Sequence, residues 1–175
     1  MRVIGGAARG RPLKAKLPSN VRPTTDYARE AIFSMLESRG GLMDLVVADL
    51  YCGSGAMGIE AMSRGAAKVY FVDSEPACLA AVRANLEPLD LPGEAVFVRA
   101  NLPIWPVPGD LDLVLADPPY GSMDLAQVID GVRCERVVVE NDRHMEAPQG
   151  WIVTKTKRYG TTLVTMLEPE RGEDE

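Results

Sequence analysis

The sequence predicts an α/β protein built on a mostly parallel, doubly wound sheet. Short apolar runs recur along the chain at residues 45–50, 69–72, 95–98, 111–116 and 137–139. Runs that are apolar at successive positions are typical of parallel strands buried on both faces. Stretches with helical character lie between them, at residues 55–64, 76–87 and 123–131. They supply the crossover connections that parallel strands require.

Length and composition favour one domain with short additions at its ends. The chain has 175 residues, of which 46% are hydrophobic and 25% are charged, and a core of that size suits a single domain. We expect an N-terminal extension over residues 1–40, an α/β body over residues 41–168 and an acidic tail over residues 169–175. No apolar signal segment or ~18-residue membrane span is evident. We therefore expect a cytoplasmic protein that contacts no membrane, and we take it to be a monomer.

The N-terminal extension is predicted to be a β-hairpin followed by a helix. Turn-forming glycines between two short apolar stretches indicate a hairpin over residues 2–16. From Ala28 the apolar residues recur at helical spacing until Gly40 and Gly41 end the pattern. We expect the hairpin to stand apart from the core of the α/β body.

Charge is distributed unevenly along the chain. Residues 1–30 carry seven basic and two acidic side chains, a net charge of +5, whereas the remaining residues carry a net charge of −11. A basic end on an acidic body is expected when that end meets phosphates, and a basic segment that is merely solvated is the alternative. The residues that we expect to contact phosphates are Arg2, Arg9, Arg11, Lys14, Lys16 and Arg22.

The C-terminal part is predicted to add an antiparallel hairpin to the edge of the sheet. Residues 151–157 and 161–167 read as strands and flank the turn Arg158-Tyr159-Gly160. From Glu168 onward five of eight residues are acidic, so we expect a frayed tail there.

A glycine-rich loop follows the first predicted strand and opens a helix. Gly53, Gly55 and Gly58 satisfy the GxGxxG spacing of dinucleotide-binding loops, although the bare pattern is weak evidence. Ligands of doubly wound sheets bind beyond the carboxyl ends of the strands. The loop should therefore meet the ends of the second and fourth strands.

Three carboxylates are expected beside this loop. Asp49 precedes it, Asp73 ends the second strand and Asp117 ends the fourth. From its position Asp73 can accept hydrogen bonds from both hydroxyls of a ribose. A pyrophosphate favours positive charge, whereas a sulfonium tolerates nearby carboxylates. The sequence thus favours S-adenosylmethionine over a dinucleotide.

The stretch Asp117-Pro118-Pro119-Tyr120 suits the recognition of a planar amine. The two prolines fix the backbone and remove its N–H donors, which leaves acceptors at the end of the strand. The Tyr120 ring could stack on the base that carries the amine. The alternative is a strand that ends in an ordinary Pro-Pro turn.

The cysteines and the single histidine do not predict a metal centre. Cys52, Cys78 and Cys134 are scattered, odd in number and without CxxC spacing, which fits reduced thiols. None is set as the attacking nucleophile that methylation of a pyrimidine carbon requires, and Cys52 is interpreted as a small residue in a turn. His144 is interpreted as a solvated loop residue.

These motifs resemble the RsmD family of class I S-adenosylmethionine-dependent methyltransferases, which modify guanine N2 in ribosomal RNA. The resemblance spans nearly the whole chain and is carried by residues 22–26, 29–30, 49–55, 60–66, 85–86, 117–120, 140 and 159–161. It implies a Rossmann-like class I methyltransferase sheet and catalytic roles for Asp117, Pro118, Pro119 and Tyr120. It also implies that S-adenosylmethionine is bound by Asp49, Cys52, Gly53, Ser54, Gly55, Asp73, Ser74 and Asn101.

The resemblance implies methyl transfer to the exocyclic N2 amine of a guanine in 16S rRNA, within an assembling 30S particle, with S-adenosylhomocysteine as product and no metal. The basic N-terminal residues would then bind RNA. Methylation of DNA adenine N6 or of a protein glutamine is the alternative within the same class, because Asp-Pro-Pro-Tyr also suits those amines. A non-catalytic RNA-binding assembly factor that keeps the fold is the alternative from another class.

Overall fold

The computed structural model describes residues 1–15, 26–109, 111–119 and 125–170. Its strands are β1 Val46–Leu50, β2 Lys68–Asp73, β3 Glu94–Arg99, β4 Leu113–Ala116, β5 Arg136–Asn141, β6 Trp151–Tyr159 and β7 Thr162–Pro169. Its helices are α1 Asp26–Glu37, α2 Ala56–Ser63, α3 Pro76–Leu86 and α4 Leu125–Val128. Each corresponds to a predicted element with ends shifted by a few residues. Within the described ranges, no helix has the length and apolar character to cross a membrane.

All seven strands form one sheet in the order β3-β2-β1-β4-β5-β7-β6. The pairs from β3 through β5 are parallel, whereas β7 runs antiparallel to β5 and to the edge strand β6. The predicted doubly wound sheet with an antiparallel C-terminal hairpin is therefore confirmed. The order reverses direction between β1 and β4, and a ligand crevice opens at the carboxyl ends of strands at such a point.

The core lies on both faces of the sheet because the central strands are buried on both sides. Val47 of β1 packs into an apolar cluster with Ile32 of α1 and Ile59 of α2. Leu50 of the same strand points into a second cluster, where it packs with Trp105. Burial on both faces is what the uninterrupted apolar runs predicted.

Residues 1–15, here called the N-terminal segment, pack onto the body. The N–H of Val3 donates to the carbonyl of Arg11 at 2.9 Å, which closes a hairpin with a single β-bridge. Val3, Ala8 and Leu13 are buried in the same cluster as α1 and α2. The expectation that the hairpin stands apart from the core is wrong, because three of its apolar side chains are part of that core. The division of the chain into an extension over residues 1–40 and a body that begins at residue 41 stays a prediction.

A buried ionic cluster ties the N-terminal segment to α1 and α2. Glu60 of α2 is 1% exposed and accepts hydrogen bonds from the backbone N–H groups of Ile4 and Gly5, each at 2.7 Å. Its carboxylate also accepts from Nε of Arg64 at 2.8 Å. Nε of the fully buried Arg29 of α1 lies 3.8 Å from Glu60 Oε2. The apolar pattern of α1 gave no indication that an arginine would lie inside.

The C-terminal hairpin extends further than predicted. Pro169 pairs with Trp151, so β7 continues through the first residues that were expected to fray. Glu168 accepts from Arg39 at 2.5 Å and lies 3.5 Å from Nε of Arg136. The predicted tail is therefore wrong for residues 168 and 169, because strand pairing and two arginines hold them. Residues 171–175 lie outside the described residues.

Candidate functional site

The carboxyl ends of β1, β2 and β4 meet at the point where the strand order reverses. Leu50 is in register with Val72 on one side and with Ala116 on the other. The residues that follow those partners are Asp73 and Asp117, so both flank the loop that leaves β1. The structure thus brings together the two carboxylates and the glycine loop, as the sequence predicted.

The glycine loop is pressed against neighbouring elements, which explains its residue types. Gly53 and Gly55 have φ of 51° and 77°, in the left-handed region that favours glycine. A Cβ on Gly55 would lie 2.8 Å from the side chain of Val82 in α3, and one on Gly58 would lie 2.4 Å from the ring of Phe71 in β2. The GxGxxG spacing here serves a tight turn and close packing of helix on strand.

Asp73 is half-buried and hydrogen-bonded to the loop. Its Oδ2 accepts from the N–H of Gly53 at 3.0 Å, and its Oδ1 accepts from the N–H of Glu75 at 2.9 Å. Each carboxylate oxygen has two lone pairs, so both oxygens retain capacity to accept from a ligand's hydroxyls. The neighbouring Ser74 lies at the same edge, and its carbonyl accepts from Nε of Arg99 at 3.3 Å.

Asp49 is 2% exposed and anchors the start of α2. Its Oδ2 accepts from the N–H of Gly58, the third residue of the helix, at 2.8 Å. Burial raises the pKa of Asp49 well above its ordinary value against the effect of that hydrogen bond, and the nearby charges of Asp117 and Asp73 raise the pKa further. The three carboxylates are therefore close enough to influence one another.

Asp117 stands where the chain leaves the sheet. It is half-buried, and its N–H donates to the carbonyl of Leu50 at 3.4 Å, which continues the β1–β4 ladder by one step. Pro118 is buried and Pro119 is exposed. The predicted stacking residue Tyr120 lies outside the described residues.

Asn85 was missed by the sequence analysis as a site residue. This side chain of α3 is 2% exposed, and its Nδ2 donates to the carbonyl of Ser54 in the glycine loop at 3.1 Å. Its Oδ1 accepts from the N–H of Ala15 at 2.9 Å. One amide thereby links the end of the N-terminal segment to the loop. An asparagine on the buried side of an amphipathic helix was the available signal.

The remaining predicted cofactor residues differ in exposure. Cys52 lies in the loop and is 7% exposed; burial, then the charges of Asp49 and Asp73, raise the pKa of its thiol far above the usual range. It is thus a neutral, small turn residue. Asn101 is exposed two residues beyond the end of β3, with its carbonyl accepting from the N–H of Ile104 at 3.1 Å. No cluster of His, Cys, Asp and Glu suited to a metal ion occurs in the described parts of the chain.

The basic residues of the N-terminal segment are on the surface. Arg2, Arg9, Arg11 and Lys14 are exposed. Nη2 of Arg11 donates to the carbonyl of Pro88, beyond the end of α3, at 2.5 Å. The two other predicted phosphate contacts, Lys16 and Arg22, fall outside the described residues.

Comparison with known proteins gives the family. The family model described as "Conserved hypothetical protein 95" matches residues 1–168. "Putative rRNA methyltransferase YlbH" of Bacillus subtilis is 33% identical over 195 residues, which cover 98% of this chain and 100% of that protein. "Ribosomal RNA small subunit methyltransferase D" of Escherichia coli K12 is 28% identical over 100% of this chain and 93% of its own.

A solved structure agrees with these relatives. "Putative methyltransferase yhhF from Escherichia coli" superposes with a TM-score of 0.79 at 29% identity, covering 97% of this chain and 98% of its own. The Rossmann-like methyltransferase fold is shared along essentially the whole length of both. Because the family model spans residues 1–168 and the relatives match from end to end, this chain belongs to the conserved hypothetical protein 95 family, the RsmD family that its sequence resembles.

Proposed function

We propose that this protein transfers a methyl group from S-adenosylmethionine to the exocyclic N2 amine of a guanine in small-subunit ribosomal RNA. The observation that carries the proposal is the meeting of Asp73, Asp117 and the glycine loop at the carboxyl ends of adjacent strands. The names of the relatives, both of which refer to rRNA methyltransferases, support the substrate class. An assembling subunit in the cytoplasm is the proposed setting, with the protein acting as a monomer.

The acidic crevice suits a cationic methyl donor. Asp73 would accept from the ribose hydroxyls, while the left-handed turn at Gly53 and Gly55 lets the backbone approach the ligand closely. We assign Asp49, Cys52, Ser54, Ser74 and Asn101 to the surrounding wall of the same site. Asp49 would act there by fixing the start of α2, because its carboxylate is already engaged by Gly58.

Asp117 would orient the amine and stabilise charge. When the amine nitrogen attacks the methyl carbon, an N–C bond forms, the C–S bond breaks and positive charge develops on nitrogen until a proton leaves to water. A carboxylate aimed at that nitrogen stabilises the charge, and alignment of the two reactants can contribute about 7–11 kcal/mol of the barrier. No base of shifted pKa is then required.

The same carboxylate fits guanine. Guanine presents the ring N–H and the amine as neighbouring donors, and a carboxylate accepts from both, whereas an amide presents donors of its own. Pro118 and Pro119 keep competing N–H donors away from this edge. The target must be unstacked, which costs least in a loop nucleotide. The Tyr120 ring remains the proposed stacking partner of the flipped base.

The test supplies S-adenosylmethionine carrying a labelled methyl group together with naked 16S rRNA or with partly assembled 30S subunits. We expect N2-methylguanosine in the digested rRNA. Asp117→Ala should reduce the single-turnover rate about a hundred- to a thousandfold while nearly keeping the cofactor affinity. Label in DNA adenine or protein glutamine instead would refute the proposed substrate. RNA binding without any transfer would favour the non-catalytic assembly factor.

A further inference from the structure

The free edge of the sheet is basic although the body of the protein is acidic. β6 carries Lys155, Lys157 and Arg158 and no acidic residue, although residues 31–175 together carry a net charge of −11. All three are exposed, and none forms an ion pair with another described residue. Arg64, Lys68, Arg136 and Arg143 of the body lie against carboxylates, whereas Arg83 and Arg99 contact the Phe97 ring and the Ser74 carbonyl instead. The cations of β6 are thus available to an external anion.

Two tyrosines lie beside these lysines. Side chains alternate along a strand, so Lys155, Lys157 and Tyr159 share the face of β6 that is next to α1. The ring of Tyr27, in the first turn of α1, meets the Tyr159 ring edge-on, with 5.6 Å between centroids and 79° between planes. Nζ of Lys157 lies 5.3 Å from the centroid of Tyr159. We call Tyr27, Lys155, Lys157 and Tyr159 the β6 surface.

The β6 surface lies level with the candidate catalytic residue. Ala116 of β4 is in register with Val139, which pairs with Thr165, which in turn pairs with Thr156. Lys157 follows Thr156 as Asp117 follows Ala116, because β6 and β4 run in the same direction. Three strand spacings separate the two strands, which amounts to about 14 Å. An RNA strand with one base at Asp117 would therefore have to extend by only about 14 Å to place a phosphate near Lys157.

We propose that the β6 surface is a second contact for the RNA substrate, in which Lys155 and Lys157 bind phosphates and the Tyr27 ring stacks on an unpaired base. The inference rests on the proposed function. Tyr27 is 67% exposed, and its ring packs edge-on against the ring of Tyr159. This contact holds the Tyr27 ring in place while most of it stays accessible to a ligand. Cations beside an exposed aromatic ring are how single-stranded nucleic acid is bound without reading its sequence.

This surface also complements the N-terminal segment. Arg29 and Glu60 hold that segment against α1 and α2, whereas Tyr27 and Tyr159 join the start of α1 to β6. Basic side chains therefore flank α1 on both sides in a protein whose net charge is −6. Two separated basic contacts would guide one RNA strand across the start of α1 toward the crevice.

The experiment compares two double variants of equal net charge. Lys155→Gln/Lys157→Gln removes two unpaired cations of the surface, and Lys68→Gln/Arg143→Gln removes two cations that are paired with Glu94 and Asp142. Affinity for a fluorescent single-stranded 16S rRNA fragment is measured over a salt series. Each lost phosphate contact should lower the slope of log affinity against log salt by ~0.7, so the surface variant should lose ~1.4. The control should keep the wild-type slope.

Tyr27 is tested separately. Tyr27→Leu should weaken RNA binding about five- to 150-fold, the range expected for loss of one base stack, with the salt slope unchanged. An equal flattening of the slope in both double variants, or in neither, would overturn the proposal. Lysines that serve only to deter edge-to-edge pairing would instead give aggregation of the surface variant at an unchanged slope, which also overturns it.

An assay of methyl transfer by the wild-type protein distinguishes failure of the β6 surface from failure of the proposed function. If the wild-type protein methylates rRNA while the surface variant and the control bind it alike, the β6 surface alone is refuted. If the wild-type protein neither binds nor methylates rRNA, the proposed function fails first. Affinity for S-adenosylmethionine should be the same in all of these variants, because none of the changed side chains lies in the crevice.

Discussion

Replacing Glu60 by alanine should release the N-terminal segment from the body. In the wild-type protein this buried carboxylate accepts from Ile4 and Gly5 and lies against Arg29 and Arg64. The substitution would leave two backbone donors without their acceptor and the buried Arg29 without its buried counter-ion. Asp26 remains 3.0 Å from Arg29, so the cost combines a weaker compensation of the buried arginine with two unsatisfied backbone donors, and we expect about 3–5 kcal/mol in total.

The size of the effect can be checked by urea denaturation and by thermal unfolding. For a chain of this length 1 kcal/mol shifts the melting temperature by about 2–4 °C, so Glu60→Ala should lower it by roughly 6–20 °C. The matched control is Glu37→Ala, which removes the other carboxylate near Arg64, at 3.3 Å and with a 48% exposed side chain. An exposed pair contributes at most about 1 kcal/mol.

Limited proteolysis identifies the part that is released. We expect cleavage within residues 1–15 to accelerate in Glu60→Ala and to stay slow in Glu37→Ala, because Glu60 accepts hydrogen bonds from the backbone of the segment whereas Glu37 contacts Arg64. If Glu60→Ala unfolds within 1 kcal/mol of the wild-type protein, or if both variants lose the same stability, then the buried ionic cluster does not hold the segment as argued.

Three further predictions concern the crevice. Asp73→Ala should weaken S-adenosylmethionine binding by about 1.5–3 kcal/mol in calorimetry, and unchanged affinity would place the ribose elsewhere. Burial raises the pKa of Asp49 above its unfolded value, so the free energy of unfolding of the wild-type protein should fall as pH rises from about 4 through the folded pKa. Asp49→Asn should therefore be more stable than the wild-type protein at pH 7. A difference in unfolding free energy between the two proteins that stays constant from pH 4 to 7 would contradict this. Asn85→Asp should lower the free energy of unfolding by about 1–3 kcal/mol because the donor to Ser54 is lost. The control Asn101→Asp, at an exposed residue, should change it by less than ~0.5 kcal/mol. Equal losses in the two variants would argue against a stabilising role for the Asn85–Ser54 hydrogen bond.

The sequence by itself determined the sheet and the edge at which a ligand binds. Uninterrupted apolar runs indicated buried strands, which holds for the central strands, whereas the edge strand β3 is only half-buried. Helical stretches between the runs indicated parallel pairing. Once that topology was known, Asp73 and Asp117 had to follow neighbouring strands at their carboxyl ends, beside the loop of Gly53 and Gly55. These conclusions depend on local patterns and a general rule of chain connection, so no knowledge of distant contacts was needed.

Only the tertiary structure decided what the buried polar residues do and where the N-terminal segment lies. Glu60 and Ile4 are 56 positions apart, and Asn85 and Ala15 are 70 apart; no periodic pattern relates residues so distant. A charged side chain such as Arg29 looks like a surface residue until the carboxylate that compensates it is located. The position of β6 beside α1 is likewise a consequence of strand order, because alternation along a strand gives its two faces but not what covers them.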